Sequence, residues 1–223
     1  MENNNQMDIF SYYKRKEVSN SDLGWLKSQL QARETISDPY LAYRFGNLLD
    51  VIITEPHRAD FFKYRIEDEI FTKKEWKTAE LMKRSFLKDD YCRELIKNAE
   101  FQKVTAKEMN FNFQGIEFKL PTRIKWDILR DDVCIGCDIK TTIAKTQSEF
   151  ESAIDFFDWD RQAAWYMDIE NVNNHVIIGI SKHNHKVFKI FINRRSDLYL
   201  NGKDKYSYLA YKWWLLFGEN LNR

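Results

Sequence analysis

Asp127, Asp138 and Lys140 carry the chemistry that this sequence offers most directly. Asp127 sits in the run Ile124-Lys-Trp-Asp-Ile128, and Asp138 follows Ile135-Gly-Cys137 with Lys140 two places on. These apolar flanks predict consecutive strands joined by a tight turn near Arg130-Asp-Asp132. Such strands pair antiparallel and bring two carboxylates to one place. The period of two along a strand puts Lys140 on the face of Asp138. Converging carboxylates and a lysine are what a metal-dependent phosphodiesterase needs. Hard oxygen ligands hold Mg²⁺, with Mn²⁺ substituting, and a cation orients or activates the attacking water. A lone D-x-K triplet, by contrast, is an ordinary surface pair. Gln162 and Tyr166 share a helix face by their i, i+4 spacing. Alone they read as a capping amide and a half-buried phenol. Beside a metal site they can contact a phosphate or position a metal-bound water.

The elements around these residues follow from periodicity and punctuation. Ser19-Asn-Ser-Asp22 ahead of Leu23, Trp25, Leu26 and Leu30 predicts a capped helix start. A second helix follows Pro39, with Leu41, Phe45, Leu48, Leu49, Ile52 and Ile53 on one face and Pro56 beyond its end. Thr72-Lys-Lys-Glu75 is a capping box before an amphipathic stretch that continues to Ile96. From Phe101 to Lys140 the period is strand-like, in short runs separated by Gly115, Pro121 and Arg130-Asp-Asp132. A helical region spans about Glu149 to Ile169. Two further strands, His175–Ser181 and Val187–Asn193, pair around His183-Asn-His185, and a last helix carries Tyr208, Tyr211, Trp214 and Phe217. The expectation is an α/β protein, with residues 1–16 a flexible tail and 17–223 a single domain.

Composition bounds the reading. Of 223 residues 43% are apolar and 15% aromatic, which argues against disorder and supplies one sizeable core. A net charge of +1 gives no global basic field. The polar, Asn-rich opening lacks an apolar signal core, and no run is long enough to span a membrane. Charge is nevertheless segregated. Eleven Asp/Glu stand against four Lys/Arg between Asp127 and Glu170, and nine Lys/Arg against three Asp/Glu from Lys182 to Arg223. That suits a metal site beside a polyanion, or equally two solvated helix faces. Cys134-Ile-Gly-Cys137 has only Cys92 to join it, too few for a zinc or iron–sulfur site, so these read as buried strand cysteines. His183 and His185 read as exposed, and Trp213-Trp214 as core or as part of a subunit interface.

Taken together, Asp127, Asp138-x-Lys140-Thr-Thr142 and Gln162-Ala-Ala-Trp-Tyr166 resemble the PD-(D/E)xK nuclease superfamily. More narrowly they resemble its phage and prophage exonucleases of the RecE (exodeoxyribonuclease VIII) type. Val18-Ser-Asn-Ser-Asp-Leu23 and Phe45-Gly-Asn-Leu-Leu-Asp50-Val-Ile-Ile-Thr-Glu-Pro56 resemble that branch's opening helix and its G-x-x-x-H stretch, so the likeness covers residues 17–215. Two positions depart from it. Asp50 stands where the branch has histidine, and Lys125 where an arginine is expected, and a lysine cannot clamp a phosphate with two parallel bonds.

The resemblance implies a restriction-endonuclease-like core, a central mixed sheet flanked by helices. It further implies a Mg²⁺-dependent nuclease with Asp127, Asp138, Lys140, Gln162 and Tyr166 as catalytic residues. Asp127, Asp138, the backbone carbonyl of Ile139 and Asp50 would hold metal, and Lys125, Thr141 and Thr142 would contact phosphates. The implied substrate is duplex DNA ends, resected 5′→3′ for a single-strand annealing partner. A ring-forming homo-oligomer and a phage or prophage setting in a bacterial cytoplasm complete the expectation. A structure-selective endonuclease, a catalytically silent DNA-end binder and a phage protein that binds no nucleic acid are the alternatives.

Overall fold

A computed structural model describes residues 12, 15–31 and 39–221. Its core is α/β, a central mixed sheet flanked by helices. The first helix, α1 (Asn20–Leu30), starts in a capping box in which Ser19 and Asp22 satisfy each other's backbone N–H. Helix α2 (Pro39–Thr54) leads through a 3₁₀ turn, Pro56–Arg58, into three two-residue strands, β1 (Ala59–Asp60), β2 (Arg65–Ile66) and β3 (Glu69–Ile70). The amphipathic stretch expected to run on to Ile96 is two helices, α3 (Lys73–Lys88) and α4 (Asp90–Leu95). Asp89 ends the first and caps the second through Cys92 N–H, so a side chain competing for backbone breaks the pattern.

The strand region differs from the run of short strands read from sequence. Strand β4 (Glu100–Phe101) leads to β5 (Val104–Phe113), which pairs with β6 (Ile116–Lys125) from Val104↔Lys125 to Phe113↔Ile116. Gln114 (φ 52°) and Gly115 (φ 84°) form the tight left-handed turn between them. Pro121 lies inside β6 rather than ending it. Its carbonyl accepts from Val18 N–H, so its missing donor also points to that outer edge, and the pairing with β5 loses nothing. The chain then breaks at Trp126-Asp127 before β7 (Ile128–Arg130), a 3₁₀ turn Asp131–Val133, and β8 (Ile135–Thr142). Asp127 therefore stands at a kink, not on a strand. Cys134 is the left-handed, exposed end of the turn rather than a buried strand cysteine.

Helices α5 (Gln147–Glu151), α6 (Ile154–Phe157) and α7 (Trp159–Glu170) replace the single helical region expected there. They lead to β9 (Asn174–Ser181), β10 (Val187–Asn193) and the long α8 (Asp197–Leu221). The five-stranded sheet runs β10-β9-β8-β7-β4, parallel only between β8 and β9. Alternation along β8 and β9 sends Cys137, Ile139, Val176, Ile178 and Ile180 into one core with α2, α3 and α4. Leu129, Ile177, Phe188 and Ile190 join the other core with α7, α8 and the β5–β6 hairpin.

Ordered packing reaches further toward the start of the chain than the expected tail of residues 1–16, of which 1–11 and 13–14 lie outside the described residues. Tyr12 is buried against the Arg123 guanidinium (5.1 Å), and Arg123 Nη1 donates to the Arg15 carbonyl (3.1 Å). No helix among the described residues is long and apolar enough to cross a membrane.

One close approach fixes the kink. A Cβ on Gly136 would lie 2.0 Å from Cζ3 of Trp126, so the indole fills the notch that this glycine leaves in β8. Gly136→Ala is expected to lower stability by about 1–3 kcal/mol, the usual scale of forced overpacking. The urea midpoint checks it, and an unchanged midpoint would mean the indole can move aside.

Candidate active site

Pairing of β7 with β8 stops at Ile128↔Cys137, which leaves the backbone of Ile139 without a strand on that side. The Asp127 carboxylate takes that place, its Oδ2 accepting from Ile139 N–H at 2.7 Å. The N–H and C=O of one strand residue point to the same edge, so the Ile139 carbonyl faces this gap as well. Asp138 and Lys140 project from the opposite face of β8, toward α7. There Gln162 links them, its Nε2 donating to Asp138 Oδ1 (2.8 Å) and its Oε1 accepting from Lys140 Nζ (3.0 Å). Lys140 is ion-paired with Asp138 Oδ2. That oxygen is buried and has no aligned hydrogen bond.

Asp50, near the end of α2, faces the same centre. Its position follows from a clip read by neither periodicity nor motif. Gln102, in the left-handed region (φ 52°), donates its backbone N–H to the Asp127 carbonyl (3.2 Å) and its side-chain amide to Thr54 Oγ1 (3.0 Å). Thr54 in turn donates to the Asp50 carbonyl (2.7 Å). The end of α2 is thereby tied to the kink that carries Asp127.

Electrostatics follow from burying these charges together. Burial and the neighbouring Asp138 push Asp127 up to about 7. Burial, then Asp127 and Asp138, push Asp50 well above the carboxylate range. Burial opposes the charge on Lys140, but Asp138 and Asp127 outweigh it and hold the ammonium above its ordinary value. Lys125, the other lysine at the centre, is lowered because burial outweighs the attraction of Asp127, Glu55 and Asp50. Tyr166 is buried edge-on to Trp126 (5.0 Å), and burial followed by Tyr12 and the two aspartates raises its phenol.

The structure thus brings together Asp50, Lys125, Asp127, Asp138, Ile139, Lys140, Gln162 and Tyr166. Thr141 and Thr142 end β8 half-buried, and the Thr142 hydroxyl accepts from Ala144 N–H (3.0 Å). Sequence reasoning missed three neighbours besides Gln102. Trp126 donates its indole N–H to Glu170 (3.2 Å). His175, pushed down to about 4 by burial, packs on Trp126 (5.3 Å) and is therefore neutral. Tyr12 belongs to a segment read as tail. A buried histidine and a left-handed glutamine carry no spacing signal, so only the fold reveals them.

Part of the segregated charge is spent on internal ion pairs, which join four of the eleven acidic residues to three of the nine basic ones. Lys205 bonds Asp155 (2.6 Å) and Asp160 (2.7 Å), Lys27 pairs with Asp158 (2.7 Å), and Arg194 and Lys203 pair with Asp168. These pairs tie part of the acidic centre to part of the basic end where α8 packs on α7.

The donor set nevertheless fits a hard divalent ion. Among the described residues no three His, Cys, Asp or Glu side chains close into a metal cluster. The fit rests on Asp127, Asp138 with its unaligned buried oxygen, and the edge-facing Ile139 carbonyl. Mg²⁺ commonly takes one or two carboxylates and completes its shell with water and substrate phosphate.

Residues 11–206 match the family described as a PDDEXK-like domain of unknown function (DUF3799). The chain belongs to this PDDEXK-like family. The phage-related exonuclease from Haemophilus somnus 129PT is 14% identical, with 76% of this chain and 82% of that one covered at a TM-score of 0.38. The crystal structure of SSO0001 is 15% identical, covering 83% and 84% at a TM-score of 0.34. No curated protein matches the sequence.

The raised Asp127 has a consequence for stability. Its folded value of about 7 lies above the unfolded value of about 3.9. The stability this group contributes is therefore full below about pH 4 and is lost as pH rises through 7. In chelator, Asp127→Asn should stabilise the protein by roughly 1–3 kcal/mol at pH 8 and hardly at pH 4. Denaturant unfolding at both pH values measures this, and no gain at pH 8 would show that Asp127 ionises without strain.

Proposed function

We propose that the protein is a Mg²⁺-dependent DNA exonuclease that resects linear duplex ends, with Mn²⁺ able to substitute. The observation that carries this reading is the joint placement of Asp127 against the Ile139 backbone and of Asp138, Lys140 and Gln162 as one bonded set, in a PDDEXK-like chain. Asp127, Asp138 and the Ile139 carbonyl would hold the metal, and Asp50 would add its charge from the end of α2. Bound there, a divalent ion supplies Lewis-acid stabilisation of charge on the phosphoryl oxygens and the leaving oxygen.

The chain's own residues do the rest. Lys140, held cationic by two carboxylates, orients the attacking water and stabilises negative charge developing on phosphorus-bound oxygen. Gln162 fixes both Lys140 and Asp138, so the lysine's direction is set before substrate arrives. Tyr166, kept protonated by burial, is a donor toward the same centre. Lys125, Thr141 and Thr142 serve as phosphate contacts, and binding through the DNA backbone makes affinity fall with salt. Polarity from the 5′ end, a single-strand annealing partner, a ring-shaped homo-oligomer and a phage or prophage role in a bacterial cytoplasm belong to the same proposal. They are supported by the sequence resemblance to RecE-type exonucleases.

A metal-dependent time course on end-labelled linear duplex beside a closed circle tests the function. Mononucleotides should appear from the linear DNA alone. Lys140→Ala and Asp138→Asn should each lower the rate about 10²- to 10⁴-fold, the usual range for a positioned proton-transfer or charge-stabilising group, with the fold intact by circular dichroism. Cleavage at the wild-type rate by either variant would falsify the assignment. Nicking of the circle would instead make the protein an endonuclease.

Asp50 is tested separately. Asp50→His should keep activity while shifting the preference between Mg²⁺ and Mn²⁺, because imidazole is the softer ligand. Unchanged activity and metal preference in Asp50→Ala would place it outside the site.

A further inference from the structure

The 3₁₀ turn Pro56–Arg58 follows directly on Thr54, which Gln102 ties to the Asp127 kink, and Arg58 and Glu55 pair with each other there (2.5 Å). Lys125 lies in the field of both. From this turn the chain enters β1, and its first hairpin turn is fixed tightly. Asp60 Oδ1 accepts from the N–H groups of Phe62 (3.1 Å) and Lys63 (3.0 Å), and Tyr64 sits in the left-handed region (φ 52°). Phe61, Tyr64 and Phe71 pack their rings on Trp76 at 5.4, 5.7 and 6.2 Å. All this order leaves Phe62, at the tip, 96% exposed.

An isolated exposed aromatic needs no explanation, but one held out by a rigid turn beside an active site does. Phe62 is the fourth residue after Arg58, so its Cα lies within about 14 Å of the Arg58 Cα in the turn at the site's edge. Lys63 and Arg65 follow it, both exposed, while Glu67 on the next turn is ion-paired with Arg58. An exposed π-face followed in the chain by two exposed cations, near the proposed phosphodiester-cleaving centre, fits an unpaired nucleobase on a phosphate backbone.

We propose that Phe62 is a stacking platform for an unpaired base of the DNA strand bound at the Asp127/Asp138 site, a role that rests on the nuclease reading above. Stacking of this kind is tolerant of base identity, so the platform holds the strand without selecting its sequence.

The test measures binding of wild type, Phe62→Ala and Phe62→Trp to a labelled oligothymidylate and to the same strand carrying abasic sites. Ca²⁺ replaces Mg²⁺ to limit cleavage. Phe62→Ala should weaken binding of the oligothymidylate about 5- to 100-fold, the range that alanine substitution of a stacking ring gives. Its binding to the abasic strand should match that of wild type, and Phe62→Trp should keep full affinity. The wild type alone should also bind the abasic strand more weakly, a comparison that needs no variant.

Three results would overturn the platform. These are equal binding of oligothymidylate by wild type and Phe62→Ala, an equal loss on both strands, or a change confined to self-association in sedimentation. If the wild type cuts DNA while Phe62→Ala binds as it does, the platform fails and the nuclease stands. If the wild type neither binds nor cuts, both fail.

Discussion

Like charges buried together at one point of the sheet set the terms for the rest of this structure. Asp127, Asp138 and Asp50 share a partly buried centre, where burial and the neighbouring carboxylates raise the cost of ionising Asp127 and Asp50. Left to itself such a cluster would push its elements apart. The fold counters with contacts that are individually modest and jointly hard to escape. Trp126 is locked into the Gly136 notch and bonded to Glu170, Gln102 spans the kink and the end of α2, and Gln162 bridges Asp138 to Lys140. Strain of this kind persists only where the surroundings over-determine it.

The second set of charges explains how α7 can serve as a reference for the site. Asp158, Asp160 and Arg161 are buried immediately before Gln162, and Lys27 of α1 and Lys205 of α8 reach in to meet them. Buried ion pairs are weak evidence for net stability, since desolvation consumes most of their attraction. What they add here is direction, because their partners come from two other helices and agree on one position for the start of α7. Gln162 inherits that position. The Gly202 notch in α8 points the same way, since a Cβ there would meet the Asp160 carbonyl at 2.1 Å.

Much of this was legible in the sequence, and the limits have physical causes. Helix starts were readable because Ser19/Asp22 and Thr72/Glu75 are local devices whose partners lie three residues apart. The D-x-K pair was readable because strand period alone puts two side chains on one face. Pro121 misled because a proline ends a strand only when its missing donor faces a neighbour, and which edge it faces is a property of pairing, not of the residue. Asp127 was found for its type and misplaced in its element, since a kink that transfers a hairpin from one sheet to another has no composition of its own. The charge segregation was real, but part of it is spent on ion pairs set by which helices cross, a long-range fact that a linear count does not contain.

The carboxylate at position 50 sets the site's arithmetic. Three carboxylates face two lysines, Lys140 and Lys125, and Lys125 is the cation that burial weakens. Fully ionised, the centre is net negative and repels a phosphate; partly protonated, it is neutral and offers a metal fewer ligands. Both difficulties would be relieved by a divalent cation held there, whose charge would offset the carboxylates and favour their ionised form. A histidine would have left the centre closer to neutrality and less dependent on that charge. On the proposed reading, Asp50 would therefore make the approach of DNA conditional on metal, because the carboxylates it joins would otherwise repel a phosphate.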